Sequence, residues 1–217
     1  MQRIVAPSIL AADFANLGRD IRNIENTDAR WIHADVMDGV FVPNISFGFG
    51  VVRAVRRLTQ KTLDVHLMIV QPERYVQRFV EAGADIVTVH YEATDCLHEC
   101  LQMIHAAGAR AGISVKPATD VEVLREYLHE TDLILVMSVE PGFGGQTYIP
   151  ESTRRIARLR QMIDEAGADV MIEVDGGISA ANAAEVYGAG ADILVAGSAV
   201  FKAESPRNEI MKMLNAR

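Results

Sequence analysis

Two histidines and two aspartates interrupt three aliphatic segments of the sequence. His33 and Asp35 lie two residues apart in the first segment, His66 lies in the second, and Asp175 ends the third. Residues two apart on a β-strand point to the same face, so His33 and Asp35 would share one. Imidazole and carboxylate groups bind divalent ions such as Zn²⁺, Fe²⁺, Mn²⁺ and Co²⁺. Each residue alone would indicate only hydrogen bonding, but the four together predict a metal or catalytic cluster.

Three glycine clusters follow late apolar runs of the chain and could bind a phosphate group. They are Pro141–Gln146, Gly176-Gly177 and Gly197-Ser198. Glycine lets backbone N–H groups approach an anion closely, and a helix N-terminus adds a favourable dipole. No Lys or Arg lies within these clusters, so main-chain amides would hold most of the phosphate charge. A single pair would indicate only a tight turn, whereas three clusters favour a phosphate site. The glycine content of Pro141–Gln146 also predicts a mobile lid.

Three methionines end apolar runs of the sequence, at Met37, Met68 and Met137. Methionine in such a position can be ordinary core packing. Beside a metal ion it could instead shield the site from water. The sequence leaves both interpretations open.

Elements that could position these residues are marked by a degenerate repeat. Ala-Gly-Ala-Asp occurs at 82–85, 166–169 and 189–192, and Ala-Gly-Ala-Arg occurs at 107–110. Each copy ends a segment of helical periodicity and precedes a short apolar run. Glycine favours the left-handed conformation just after a helix, so the repeat predicts helix-to-strand junctions.

Eight apolar runs have the length and composition of buried parallel strands. They are Ile4–Leu10, Trp31–Val36, Leu63–Met68, Ile86–His90, Ala111–Val115, Leu133–Met137, Val170–Val174 and Ile193–Ala196. Amphipathic segments separate most of them, so residues 1–217 are expected to form one (β/α)8 barrel domain. A doubly wound sheet is the alternative, but no G-x-G-x-x-G follows the first run. In a barrel the active site lies at the carboxyl ends of the strands, where Asp175 would face Asp35 across the mouth.

Composition excludes several classes of protein. The 217 residues are 49% apolar and carry a net charge of −8, which disfavours binding to nucleic acid. No apolar run approaches the roughly 18 residues of a membrane span, and the N-terminus lacks the pattern of a signal peptide. Two cysteines cannot form a disulfide framework. We therefore expect a cytoplasmic protein with neither a nucleic-acid nor a membrane partner.

Several segments, in order along the chain, resemble the ribulose-phosphate 3-epimerase family over essentially the whole sequence. The segments are Ala6–Phe14, His33–Gly39, Phe41–Asn44, Asp64–Met68, Glu140–Gln146, Glu173–Gly177 and Ala196–Ala199. Several blocks in the correct order are far more specific than any one of them.

The resemblance implies an enzyme that uses a divalent metal ion to invert one carbon of a sugar phosphate. The metal would be one divalent ion per chain, held by His33, Asp35, His66 and Asp175, with Asp35 and Asp175 also acting as the acid/base pair. The implied substrate-binding residues are Ser8, His66, Gly142, Phe143, Gly144, Gly145, Asp175, Gly176, Gly177, Gly197 and Ser198. The substrate would be a sugar phosphate, inverted at C3, and the protein a homo-oligomer, either a dimer or a hexamer.

Three rival functions remain. A C6 homologue, allulose-6-phosphate 3-epimerase, would use the same chemistry on one more carbon. A barrel decarboxylase of the orotidine-phosphate type would carry an Asp-x-Lys-x-x-Asp pattern. The segment Asp35–Asp38 lacks the Lys of that pattern. A non-catalytic phosphosugar-binding barrel would keep the glycine clusters but would not need four metal-type ligands.

Overall fold

The computed structural model describes residues 3–217, which form an eight-stranded parallel barrel surrounded by helices. The strands are β1 (Ile4–Pro7), β2 (Trp31–Met37), β3 (Thr62–Met68), β4 (Ile86–His90), β5 (Arg110–Val115), β6 (Leu133–Met137), β7 (Met171–Asp175) and β8 (Ile193–Ala196). They pair in the order β1-β8-β7-β6-β5-β4-β3-β2. A parallel bridge between Ser8 and His33 links β1 to β2, so the barrel is nearly closed. The predicted (β/α)8 fold is confirmed.

Eight α-helices in the described residues connect or follow the strands. They are α1 (Leu17–Glu25), α2 (Phe49–Arg56), α3 (Val76–Glu81), α4 (Leu97–Ala106), α5 (Ser152–Ala166), α6 (Ala183–Gly188), α7 (Ser198–Phe201) and α8 (Pro206–Leu214). Between β5 and β6 the chain forms a 3-10 helix, Val121–Tyr127, instead of an α-helix. Its buried residues Val121, Leu124 and Tyr127 are spaced by three, which matches the 3.0 residues per turn of a 3-10 helix.

The Ala-Gly-Ala-Asp repeat forms the junctions that its sequence predicts. Gly83 and Gly190 follow helices with φ of +111° and +115°, in the region that favours glycine. The aspartate that ends each of these two copies then accepts a main-chain hydrogen bond from the start of the preceding strand. Asp85 accepts from the N–H of Leu63 at 2.7 Å, and Asp192 accepts from that of Ile172 at 2.9 Å. The repeat therefore joins neighbouring strands at the end of the barrel opposite the predicted site.

The first strand is shorter than the sequence predicts. It ends at Pro7, because Ser8 caps a 3-10 turn over Ile9–Ala11 by accepting a hydrogen bond from the N–H of Leu10. This change of direction leaves Ser8 at the carboxyl end of the strand, beside Asp35.

The barrel interior changes from apolar to polar along its axis. Apolar side chains, including Ile4, Trp31 and Ile86, fill the end where the strands begin. Toward the carboxyl ends the interior holds buried polar side chains, among them His33 and His66. Within residues 3–217 no helix is long and apolar enough to cross a membrane.

Candidate active site

The four predicted metal ligands meet at the carboxyl ends of β2, β3 and β7. One ligand atom each of His33, Asp35, His66 and Asp175 lies within 4.8 Å of all the others. Asp35 and His66 are direct partners in the β2–β3 register. Asp175 reaches them across the barrel, as the count of strands predicts, because β7 and β2 are not neighbours in the sheet.

Hydrogen bonds to Asp64 and Asp35 orient the ring of His33. Its Nδ1 lies 2.5 Å from Asp64 Oδ2, and its Nε2 lies 3.1 Å from Asp35 Oδ1. Burial opposes a charge on this ring, but Asp35 and Asp64 outweigh it and raise the pKa of His33 well above its usual range. A cation, either a proton or a metal ion, is therefore favoured between His33 Nε2 and Asp35. Since a histidine must lose that proton to bind a metal, the two would compete.

The two carboxyl groups differ in their affinity for a proton. Burial opposes ionisation of Asp35, but His33 lowers its pKa below the usual range, and Ser8 Oγ donates a 2.6 Å hydrogen bond to Asp35 Oδ2. Burial and the negative charge of Asp35 raise the pKa of Asp175 to about 7. With the protein's own charges alone, Asp35 is thus the carboxylate of the pair and Asp175 holds a proton more readily.

The cluster fits a divalent metal ion. Two imidazoles and two carboxylates converge in a buried pocket, which is a donor set that Zn²⁺, Fe²⁺, Mn²⁺ and Co²⁺ accept. The side chain of Asp35 brings one oxygen, Oδ1, to 3.1 Å from both His33 Nε2 and His66 Nδ1. A shared metal ion would stabilise this close approach, because it would place one positive centre between the carboxylate oxygen and both ring nitrogens.

A buried carboxyl pair below the cluster was not recognised from the sequence. Glu173 is fully buried, its Oε1 lies 3.6 Å from His33 Nδ1, and neither carboxyl oxygen has a hydrogen-bond partner among the described residues. Burial and the nearby charge of Asp64 raise the pKa of Glu173 to about 8, so it holds a proton more readily than an ordinary glutamate. The signal was present: Asp64 and Glu173 each lie two residues before a predicted ligand, on the same strand face.

A cavity of about 370 Å³ opens above the cluster, a size typical of small-molecule sites. Its lining includes the predicted residues Ser8, Asp35, Met37, Met68, Met137, Gly142, Phe143, Gly144, Gly145, Asp175, Gly176, Gly177, Gly197 and Ser198. His33 and His66 are fully buried outside this lining. The three methionines line its wall and are nearly inaccessible to solvent, as packed core residues are.

The glycine clusters share one side of this cavity. A Cβ on Gly177 would lie 2.2 Å from the backbone nitrogen of Tyr148, so this turn requires glycine. Gly197 precedes α7, and a Cβ there would lie 3.3 Å from that of Ala11. Lys202 also lines the cavity and was not predicted, because it lies outside the glycine clusters. It lies four residues after Ser198, which places both on one face of a helical turn.

Comparison with known proteins places the chain in a family. The family model described as the ribulose-phosphate 3 epimerase family matches residues 4–201. The chain belongs to the ribulose-phosphate 3-epimerase family. It is 52% identical to the ribulose-phosphate 3-epimerase of Synechocystis sp. over 216 residues, covering 99% of this chain and 94% of that protein. It is 47% identical to the ribulose-phosphate 3-epimerase of Bacillus subtilis, covering 98% and 99% of the two chains.

Among solved structures, orotidine 5′-phosphate decarboxylase from Pyrococcus horikoshii shares the barrel. Its TM-score is 0.72, with 98% of each chain covered and 16% sequence identity. At this identity the similarity concerns the fold alone. The barrel is therefore shared with an enzyme of another name, and the fold alone does not identify the reaction.

In this epimerase-family chain the predicted lid segment, Pro141–Gln146, contacts the loop after β2. Asn44 Nδ2 donates a 2.8 Å hydrogen bond to the carbonyl of Gly142. Within the segment, Gln146 Nε2 donates to the carbonyls of Glu140 and Phe143. Phe143 is 56% exposed although it borders the cavity, so its ring has apolar surface available for a bound molecule to cover.

Proposed function

We propose that the chain interconverts D-ribulose 5-phosphate and D-xylulose 5-phosphate by inverting the configuration at C3. The observation that carries this proposal is the approach of Asp35 and Asp175 from opposite strands to one cavity, within 4.8 Å of each other. Membership of the epimerase family supports the same reaction and a sugar-phosphate substrate.

Proton transfer at C3 is the task of the two carboxyl groups. The C3 hydrogen is acidic because it is next to the C2 ketone, and its removal gives an enediolate. One aspartate takes this proton from one face of C3, and the other delivers a proton to the opposite face. The C–H bond broken on one side is thereby replaced by a C–H bond on the other, with no net change in protons. Because β2 and β7 are not adjacent in the sheet, Asp35 and Asp175 suit these two faces.

A divalent metal ion would be held by His33, Asp35, His66 and Asp175. When bound, it would supply Lewis-acid stabilisation of the negative charge that develops on the substrate oxygens at C2 and C3. Asp64 holds the ring of His33 through Nδ1, which leaves Nε2 directed at the cluster. Ser8 holds Asp35 through the hydrogen bond to Oδ2.

The remaining residues of the cavity would bind and enclose the substrate. The phosphate would lie against the glycine clusters at the ends of β6, β7 and β8, with the ammonium group of Lys202 near its negative charge. Met37, Met68 and Met137 would exclude water from the reacting carbon. Binding at the phosphate would then fix the distance of C3 from the two aspartates.

A coupled assay with two substrates tests the reaction and its rivals. We expect rapid turnover of D-ribulose 5-phosphate and much slower turnover of D-allulose 6-phosphate. A preference for the six-carbon substrate would identify the homologous epimerase instead. Binding of both sugar phosphates without turnover, in protein loaded with a divalent metal, would indicate a binding protein and contradict the proposal.

A further inference from the structure

A row of hydrogen-bonded side chains leads from the proposed metal ligand His66, which is buried, to Glu92 at the edge of the barrel. His66 Nε2 lies 2.9 Å from Nε2 of His90, and His90 Nδ1 lies 3.1 Å from Oε2 of Glu92. Both histidine rings are fully buried, and the ring of Phe41 covers His90 at a centroid distance of 4.7 Å. Nothing in the proposed proton transfer uses His90 or Glu92.

The donor and acceptor of each hydrogen bond in this row can be assigned by starting at Glu92, the residue farthest from the metal ligands. Glu92 Oε1 accepts from the N–H of Lys116 at 2.8 Å and from the hydroxyl of Thr119. Burial opposes ionisation of Glu92, but hydrogen bonds from His90, Thr119 and Lys116 lower its pKa to about 2. Glu92 is therefore an acceptor only, and the His90 nitrogen that faces it must carry a proton.

The two Nε2 atoms in the middle of the row can share only one proton at 2.9 Å. If His90 carried protons on both nitrogens, it would be a buried cation directly beside a metal ligand, where its charge would oppose binding of a divalent ion. With a neutral His90 protonated on Nδ1, its Nε2 accepts, and His66 must donate from its own Nε2. The remaining nitrogen of His66, Nδ1, then has a lone pair, and this is the atom 3.1 Å from Asp35 Oδ1.

We propose that His90 and Glu92 are positioning residues that hold His66 in the tautomer able to bind the metal. This inference rests on the metal site of the proposed function. The other histidine of the site is arranged in the same way, because Asp64 holds the proton of His33 on Nδ1 and leaves Nε2 for the cluster. A ring nitrogen of a metal ligand is commonly fixed by a carboxylate in this manner, and here a second histidine extends the connection to Glu92.

Three variants separate tautomer control from packing. His90→Leu removes the acceptor for His66. His90→Gln can restore the row, since its amide oxygen can accept from His66 while its amide nitrogen donates to Glu92. Glu92→Gln leaves one oxygen acceptor for the donors that the two carboxylate oxygens of Glu92 accept from. When the N–H of Lys116 donates to that oxygen, the amide nitrogen of the new side chain donates to His90 Nδ1. His90 then donates from Nε2 to Nε2 of His66, which puts the proton of His66 on Nδ1.

The affinity of the full-length protein for Zn²⁺, measured by competition with a chelating dye, is the first readout. We expect His90→Leu and Glu92→Gln to bind Zn²⁺ about 10–100-fold more weakly, and His90→Gln to recover most of the loss. A matched pair on the surface supplies the control: His98 Nδ1 lies 2.8 Å from Glu130 Oε2, and His98→Gln and Glu130→Gln should leave the affinity unchanged. Circular dichroism establishes that each variant is folded.

Nitrogen-15 chemical shifts of the His66 ring in metal-free protein are the second readout and do not depend on metal binding. The proposal predicts the proton on Nε2 in the parent and in His90→Gln, and on Nδ1 in Glu92→Gln. Parent-like Zn²⁺ affinity in folded His90→Leu and Glu92→Gln would overturn it, as would a proton on Nδ1 of His66 in the parent. If the parent bound no Zn²⁺, the metal site of the proposed function would fail, while the ring shifts would still decide the tautomer.

Discussion

Asp35 and Asp175 lie on strands that share no hydrogen bonds, yet a carboxyl oxygen of one lies within 4.8 Å of an oxygen of the other. Desolvation and the repulsion between two carboxylates at this distance raise the pKa of Asp175 to about 7. The same pair can be drawn together by a shared cation or can hold one proton between them. Both properties suit a site that moves protons across a single carbon atom.

Replacing either aspartate with asparagine should remove most of the activity. Asp35→Asn and Asp175→Asn keep the shape but lose the acid/base function, so we expect kcat to fall by roughly 10²–10⁴-fold. The metal content of each variant must be measured as well, because both residues are proposed ligands. Asp164→Asn, on the exposed face of α5, is the control and should retain full activity. A fall of less than tenfold in a metal-loaded Asp175→Asn would remove this residue from the mechanism.

Metal removal should abolish activity reversibly. Purified protein should contain about one divalent ion per chain, and added Zn²⁺, Fe²⁺, Mn²⁺ or Co²⁺ should restore activity after chelation. His66→Ala should weaken metal binding by at least roughly tenfold, since it removes a nitrogen ligand. His98→Ala, at an exposed histidine, should not. Full activity in protein shown by elemental analysis to be metal-free would refute the metal assignment.

The phosphate should contribute to turnover as well as to affinity. Because a remote charged group positions the reacting carbon, D-ribulose without its phosphate should lose about 10²-fold or more in kcat/KM, part of it in kcat. Gly197→Ala places a methyl group beside Ala11 at the cavity wall and should raise KM for the phosphorylated substrate by about tenfold. Gly188→Ala has open space around its Cβ and serves as the control. Comparable turnover of the two sugars would show that the glycine clusters do not bind phosphate.

Amide hydrogen exchange should reveal closure of the segment Pro141–Gln146. We expect fast exchange in the free protein and protection when a substrate analogue is bound. Asn44→Ala removes the 2.8 Å hydrogen bond to Gly142 and should raise exchange in the free state, whereas Asn208→Ala on α8 should not. If a bound analogue leaves exchange unchanged, the segment is a static turn.

Sequence periodicity correctly predicted those features of the site that depend on residues close together along one strand. His33 and Asp35 share a face because strand geometry requires it, and counting strands predicted that Asp175 would approach from the far side. The Ala-Gly-Ala-Asp repeat likewise predicted the junctions, because glycine conformation is a local property.

Features that depend on contacts between strands were not predictable in this way. The contact between His66 and His90 requires the register of β3 against β4, in which His66 pairs with Thr88. Lys202 lies at the cavity because α7 begins at Ser198, directly after Gly197, and lasts a single turn. The 3-10 helix Val121–Tyr127 carries apolar residues at a spacing that also suits an α-helix, so its type was not determined by sequence.

Transfer of hydrogen at C3 in D₂O tests the two-aspartate mechanism most directly. If Asp35 and Asp175 each serve one face, the proton delivered to product comes from a residue that exchanges with solvent before it acts. Early product, analysed by mass spectrometry and proton NMR, should therefore carry close to one deuterium at C3 while unreacted substrate remains largely protiated. Substantial transfer of the original C3 hydrogen into the product would contradict the mechanism and indicate one shared base.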